Sequence, residues 1–146
     1  MNAQEGSMLM SEIITINNRD VKVKEFNSQR VVTFKDIDMV HERADGTARK
    51  RFNDNKKRFI KNTDYFILKP ADIQMSENRT TGINNINNAG TIFITESGYL
   101  MLVKSLTDDL AWKVQRELVN NYFRGRQIID DLSNLSPQLQ FLINME

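Results

Sequence analysis

The residues most able to do chemistry lie between Thr47 and Lys61, TARKRFNDNKKRFIK. Seven cations (Arg49, Lys50, Arg51, Lys56, Lys57, Arg58 and Lys61) stand there against one acid, Asp54. Cations packed this densely repel one another unless something anionic lies against them. Solvated helix faces usually mix signs for i,i+4 pairing, and this run does not. Asn53 and Asn55 add side chains that both donate and accept, as base edges require. The chemistry this combination fits is recognition of nucleic acid.

The run reads as one helix. Asp45-Gly46 turns the chain before it, Thr47 can cap the first free N–H groups, and no Gly or Pro interrupts it. At about 100° per residue, Ala48, Phe52, Asn55 and Phe59 share a narrow core-facing side. Lys50, Asn53, Lys57 and Lys61 point the opposite way. Arg49 and Lys56 take one flank, Arg51 and Arg58 the other. Upstream, Phe34 to Glu42 reads as a short helix capped by Thr33, with Phe34, Ile37, Val40 and His41 inward. A turn at Ala44-Asp45-Gly46 joins the two. A short helix, a tight Gly-containing turn and a basic second helix give the outline of a helix-turn-helix.

Other chemistries find less support. The single histidine, His41, lies near Asp36, Asp38 and Glu42, the residue types of a metal nuclease. Asp38 and His41 can share a helix face, but Asp36 lies well round the helix from Asp38, and no second carboxylate cluster has a motif-like spacing. His41 reads as a partly buried helix-end residue. Ser97-Gly98 lacks the G-x-S-x-G frame of a nucleophile elbow. Neither a dinucleotide fingerprint nor a P-loop is present. The expectation is a protein that is not an enzyme and needs no cofactor or metal.

With 146 residues and 40% hydrophobic content, the chain suits one compact domain with an appendage. The formal net charge is only +1, so the positive charge is concentrated rather than general. Arg43 to Lys61 holds eight cations and two acids, whereas acids outnumber cations from Phe93 onward. There are no cysteines, which excludes disulfides, thiolate metal sites and thiol nucleophiles. No apolar run approaches the ~20 residues of a membrane span. The first residues form no signal peptide, so a soluble cytoplasmic protein is expected.

Residues 1–11 are expected to be flexible. Glu12–Asn17 and Val21–Phe26, separated by turn residues, read as a β-hairpin, with Arg30–Thr33 as a third strand. Tyr65–Leu68 reads as a buried strand, and Pro70 starts a helical turn. Ser76–Gly90, rich in Asn, Thr and Gly, reads as a mobile loop or hairpin tip, in which Arg79 and the Asn pairs could reach a phosphate backbone. Thr91–Thr95 is another strand and Tyr99–Val103 a buried helix. The longest helix is expected from Asp108 to about Asp130, with Thr107 as N-cap. Its apolar stripe is Ala111, Val114, Leu118, Tyr122 and Ile129, widened by Trp112 and Phe123, and Gly125 offers a kink. Residues 132–146 read as a linker and, from Ser136-Pro137, the start of a further helix. So short a segment after a start signal suggests a longer parent chain or a partner for the stub.

Three blocks resemble the KilA-N superfamily of phage and prophage DNA-binding domains, in particular the branch at the N-terminus of antirepressor-type proteins. They are VVTFKDIDMVHER with TARKRFNDNKKRF, then Asp64-Tyr65-Phe66, then ITESGYLMLVKSLTDDLAWKVQRELVNNYF. The resemblance spans about residues 12–130. It implies a small α+β DNA-binding domain at 12–131, commonly followed by a variable C-terminal domain, in phage regulatory proteins. It brings no catalytic residues.

The fold expected is therefore α+β: an N-terminal β-hairpin, a helix-turn-helix-like pair with a basic second helix, short strands and a long C-terminal helix. The function expected is binding of double-stranded DNA through 47–61. Thr47, Arg49, Lys50, Arg51, Asn53, Lys56, Lys57, Arg58 and Lys61 form the site. The cations take phosphates, with one or more Arg on guanine edges; Asn53 takes adenine, and Asn55 bonds backbone. The alternative is a protein-interaction module that docks or titrates a repressor, or dimerises through its C-terminal helices, without touching DNA.

Overall fold

The computed structural model describes residues 12–74, 82–83 and 86–125. Expectations for 1–11, for Arg79 and Asn84-Asn85, and for Ile129 and the 132–146 segment lie outside the described residues.

The N-terminal region is two hairpins rather than one hairpin and a strand. β1 (Ile13–Ile16) pairs antiparallel with β2 (Arg19–Lys22), and β3 (Lys24–Phe26) with β4 (Gln29–Val31). Asn17-Asn18 and Asn27-Ser28 hold both turns with positive φ, the geometry that short Asn-rich hairpin loops favour. The expected strand 21–26 breaks at Val23. There the Val23 N–H turns to the Glu12 carbonyl, at 2.8 Å. At the Lys24–Val31 register pair, the Tyr122 hydroxyl accepts the Lys24 N–H at 3.0 Å and donates to the Val31 carbonyl at 2.6 Å.

Two helices follow. α1 (Phe34–Val40) starts on a reciprocal cap: Thr33 Oγ1 accepts the Asp36 N–H, and the Asp36 carboxylate accepts the Thr33 N–H, both at 3.0 Å. α2 spans Thr47–Asp54. β5 (Tyr65–Leu68) pairs antiparallel with β6 (Thr91–Ile94), so the Asn-rich stretch belongs to their connection, after the short α3 (Pro70–Gln74). Paired backbone bonds between Val32 and Ile94 tie the second hairpin to β6. α4 (Glu96–Leu102) is capped by Thr95, and includes Ser97 and Gly98 rather than starting after them.

α5 (Asp109–Glu117) continues into a π-helical segment, Leu118–Phe123. Its N-cap is Asp108 rather than Thr107. Ala111, Val114, Leu118 and Tyr122 are buried as their spacing predicts. Trp112 is not part of that stripe; it is 64% exposed. The wider π turn ends before Gly125, and the Arg30 guanidinium lies close to that glycine.

The main core gathers Val21, Val32, Phe34, Ile37, Val40, Phe52, Ile94, Tyr99, Leu102, Val114, Leu118 and Tyr122 among others. A smaller cluster of Phe26, Val31, Phe66, Leu68 and Phe93 fills the space between the second hairpin and β5–β6. The architecture is α+β.

Candidate nucleic-acid interface

The basic stretch is not one continuous helix. α2 ends at Asp54, Lys56–Arg58 form a single 3₁₀ turn, and Phe59 is extended. Asn55 sets the break. Its backbone N–H is shared between the Arg51 and Phe52 carbonyls, and its side-chain amide donates to the Arg51 carbonyl at 2.9 Å, which closes the helix. Asn55 thus bonds backbone, as expected. A second constraint comes from Asp64, whose carboxylate accepts the Ile60 N–H at 2.8 Å and the Ser97 hydroxyl at 2.6 Å. The tighter turn keeps Phe59 in the core although the α-helix has ended.

The start of α2 is held by a residue of α1. Gly46 is the N-cap, with φ +96°, and carries no side chain to cap with. The buried Asp38 supplies the cap: one carboxylate oxygen accepts the Gly46 N–H and the other the Ala48 N–H, each at 2.9 Å. Thr47 does not cap; its hydroxyl donates to the Ala44 carbonyl at 2.6 Å. The negative Asp38 also lies at the positive end of the helix dipole.

Beneath the cations lies an aromatic cluster. The Phe52 ring centroid is 5.3 Å from Phe34, 4.9 Å from Phe59 and 5.0 Å from Tyr65. Truncating a ring so buried costs about 3–5 kcal/mol. Ala48, Phe52 and Phe59 of the expected core stripe are buried, whereas Asn55, where α2 ends, is exposed.

Above this base the charged groups fan out. The Arg49 guanidinium lies over the Phe34 ring at 5.4 Å, on the α1 side. Arg51 faces the other flank and donates to the Ser105 hydroxyl, in the loop after α4. Lys50 pairs with Asp54 at 2.9 Å, an exposed i,i+4 pair of small energy. Asn53, Lys56, Lys57, Arg58 and Lys61 are exposed. Among the described residues, Asp54 is the one carboxylate that pairs with any cation of 47–61. Lys61 stands apart from the helix, in a backbone bridge to Tyr65.

The groups a metal site would have needed are engaged elsewhere. Asp36 pairs with Lys24 at 2.8 Å, and Asp38 caps α2. His41 is wholly buried at the end of α1, and its Nε2 lies 2.6 Å from the Tyr99 hydroxyl. Burial, helped by the nearby Arg43 charge, lowers its pKa to about 4 against the opposing pull of Asp108. Burial raises the Tyr99 phenol well above its usual value. Among the described residues, no three His, Asp or Glu side chains are placed to hold a metal ion, and no helix is long and apolar enough to cross a membrane.

Asp38 is the residue of the candidate site whose capping role the spacing does not reveal. Its only sequence signal is an acid set in the second turn of a helix that otherwise needs no charge there. The Arg43–Asp108 pair, at 3.0 Å, was likewise invisible, because it joins residues far apart in the chain.

No curated protein matches the chain, and no solved structure does. The family model described as ORF6N domain matches residues 21–105, which run from the first hairpin through the helix pair and the basic segment into the loop after α4. That is more than half of the sequence, and the chain belongs to this phage-associated ORF6N domain family.

Proposed function

We propose that the chain is a DNA-binding domain of a phage or prophage regulatory protein, related to the KilA-N domains of antirepressor-type proteins and acting in the host cytoplasm. It binds double-stranded DNA through 47–61 and carries out no catalysis. One observation carries this reading: a strongly cationic surface, anchored by two buried phenylalanines, in which Asp54 is the sole carboxylate partner among the described residues. Arg49 and Lys50 on α2 and Lys56, Lys57 and Arg58 on the 3₁₀ turn take phosphates. Asn53 is exposed and free to read adenine. Thr47 already spends its hydroxyl proton on Ala44, so it contributes as an acceptor or through its backbone.

The test is fluorescence anisotropy of a mixed-sequence duplex at several salt concentrations, with the wild type and with Arg49→Ala/Lys50→Ala/Lys57→Ala. Salt-sensitive binding that the triple variant loses, with circular dichroism unchanged, supports the reading. Absence of binding at low salt, or equal binding by the variant, overturns it.

Trp112 supports a second reading. A tryptophan 64% exposed on α5 is a common protein-interface residue. Here the domain docks a repressor or a second copy of itself, and Trp112→Ala weakens self-association in sedimentation without changing the salt dependence of DNA binding.

A further inference from the structure

Next to the basic segment the surface dips into a notch of about 310 Å³ between α2, the 3₁₀ turn and the end of α4. Three cations from two separate parts of the chain line it: Arg51 and Arg58 from the basic segment, and Lys104 from the loop after α4. Ser105 and Asn55 add polar groups to its wall. Its base is apolar, formed by the buried Phe59 and Leu102 and the partly exposed Met101. Among the described residues, no carboxylate lines it.

The notch is held in shape from both sides. Arg51 donates to the Ser105 hydroxyl, which fixes the guanidinium against the α4 loop, and its other N–H groups have no partner among the described residues. The Asn55 amide is fixed on the Arg51 carbonyl. Lys104 is exposed, and its ammonium has no carboxylate partner among the described residues. Three positive charges around an uncompensated hollow attract an anion. A guanidinium already held in place suits a phosphate better than a mobile lysine cluster does, because its fork of donors matches phosphate oxygens. The apolar base suits the carbon face of a sugar.

We infer that this notch seats one sugar–phosphate unit of the DNA backbone, its phosphodiester between Arg51, Arg58 and Lys104 and its deoxyribose against Met101. The inference rests on the DNA-binding reading and extends the interface beyond 47–61 to Lys104 and Ser105. The strand then runs from the outer face of α2 across the 3₁₀ turn and onto the end of α4. Lys104 becomes a positioning contact that strengthens binding evenly across sequences and carries no base specificity.

The experiment compares the salt dependence of duplex binding, by anisotropy, for the wild type, Lys104→Ala, the 49/50/57 triple variant and Lys22→Ala. Lys22 is an exposed β2 lysine away from the notch, and its loss changes the net charge equally. Lys104→Ala is expected to lower the slope of log Kobs against log salt by about one, while Lys22→Ala leaves it unchanged. A Lys104→Ala slope equal to the wild type's overturns the notch assignment; if the triple variant still loses binding, the basic-segment reading survives. If the triple variant keeps full binding while Lys104→Ala lowers the slope, the notch stands and Arg49, Lys50 and Lys57 drop out of the interface. Binding of inorganic phosphate without DNA, seen by calorimetry and abolished in Lys104→Ala, would make the notch a free-anion site and overturn its assignment to the strand.

Discussion

The Asp38 carboxylate of α1 accepts the Ala48 N–H of α2 at 2.9 Å, and its second oxygen holds the Gly46 N–H at the same distance. One buried side chain thereby fixes both the start of the basic helix and its position against the helix before it. Asp38→Ala removes two charge-assisted bonds and leaves the buried Ala48 N–H without a partner. The expected cost is about 2–4 kcal/mol, read as a lower urea midpoint with an unchanged slope. Asp38→Asn keeps one acceptor oxygen and should fall about midway. A midpoint within error of the wild type for Asp38→Ala would mean that α2 finds its cap elsewhere.

Asn53 projects from the exposed side of α2 without a partner among the described residues, so its loss disturbs nothing in the fold. Asn53→Ala should leave thermal stability unchanged. In a site-selection experiment it should relax preference at one A·T position, by about 1–3 kcal/mol of discrimination. An unchanged site preference removes Asn53 from base readout and leaves only backbone contacts on this face.

The local periodicities were legible in the sequence. Thr33 as a cap, the Ala48–Phe52–Phe59 stripe, the buried side of α1 and the strands at Tyr65 and Thr91 all follow from short-range patterns, and the structure has them. The errors come from long-range partners. The end of α2 depends on Asn55 turning back on Arg51 and on Asp64 holding Ile60, and nothing in TARKRFNDNKKRFIK announces Asp64. The break at Val23 is flanked by a long-range bond, from the Lys24 N–H to a tyrosine hydroxyl 98 residues further on. Of the site, the cations were legible as a set and periodicity put Arg49 and Arg51 on opposite flanks; what it does not give is the group each one meets, Phe34 for Arg49 and Ser105 for Arg51.

Gly98 and Gly46 look alike in the sequence and should behave differently. A Cβ on Gly98 would lie 2.0 Å from the Asp64 carbonyl oxygen, which is backbone and cannot step aside. The Asp64 carbonyl also accepts the Thr95 N–H, so moving it disturbs the cap of α4. Gly98→Ala should cost about 3 kcal/mol or more, or fail to accumulate as folded protein. A Cβ on Gly46 meets nothing within 4 Å, and only its φ of +96° opposes a side chain. Gly46→Ala should cost about 1 kcal/mol, with the α2 cap intact. Thermal melts of the pair check the contrast, and equal costs would refute the close approach at Asp64.

His41 makes folding stability depend on pH in a window set by its burial. Its pKa drops from 6.5 in the unfolded chain to about 4 in the fold, so between these values the unfolded state binds more protons. Stability from this group is complete above pH 6.5 and is lost as the pH falls toward 4, by an amount on the order of 3 kcal/mol. The groups around it agree with that sign. Arg43 opposes protonation, Asp108 favours it less strongly, and the Tyr99 hydroxyl, 2.6 Å from Nε2, stays uncharged across the window. His41→Gln can still meet Tyr99 but does not titrate. Its urea midpoint should be flatter than the wild type's between pH 6.5 and 5, where most carboxylates remain ionised. Parallel profiles for the two proteins would show that His41 takes up its proton in the folded state as readily as in the unfolded chain.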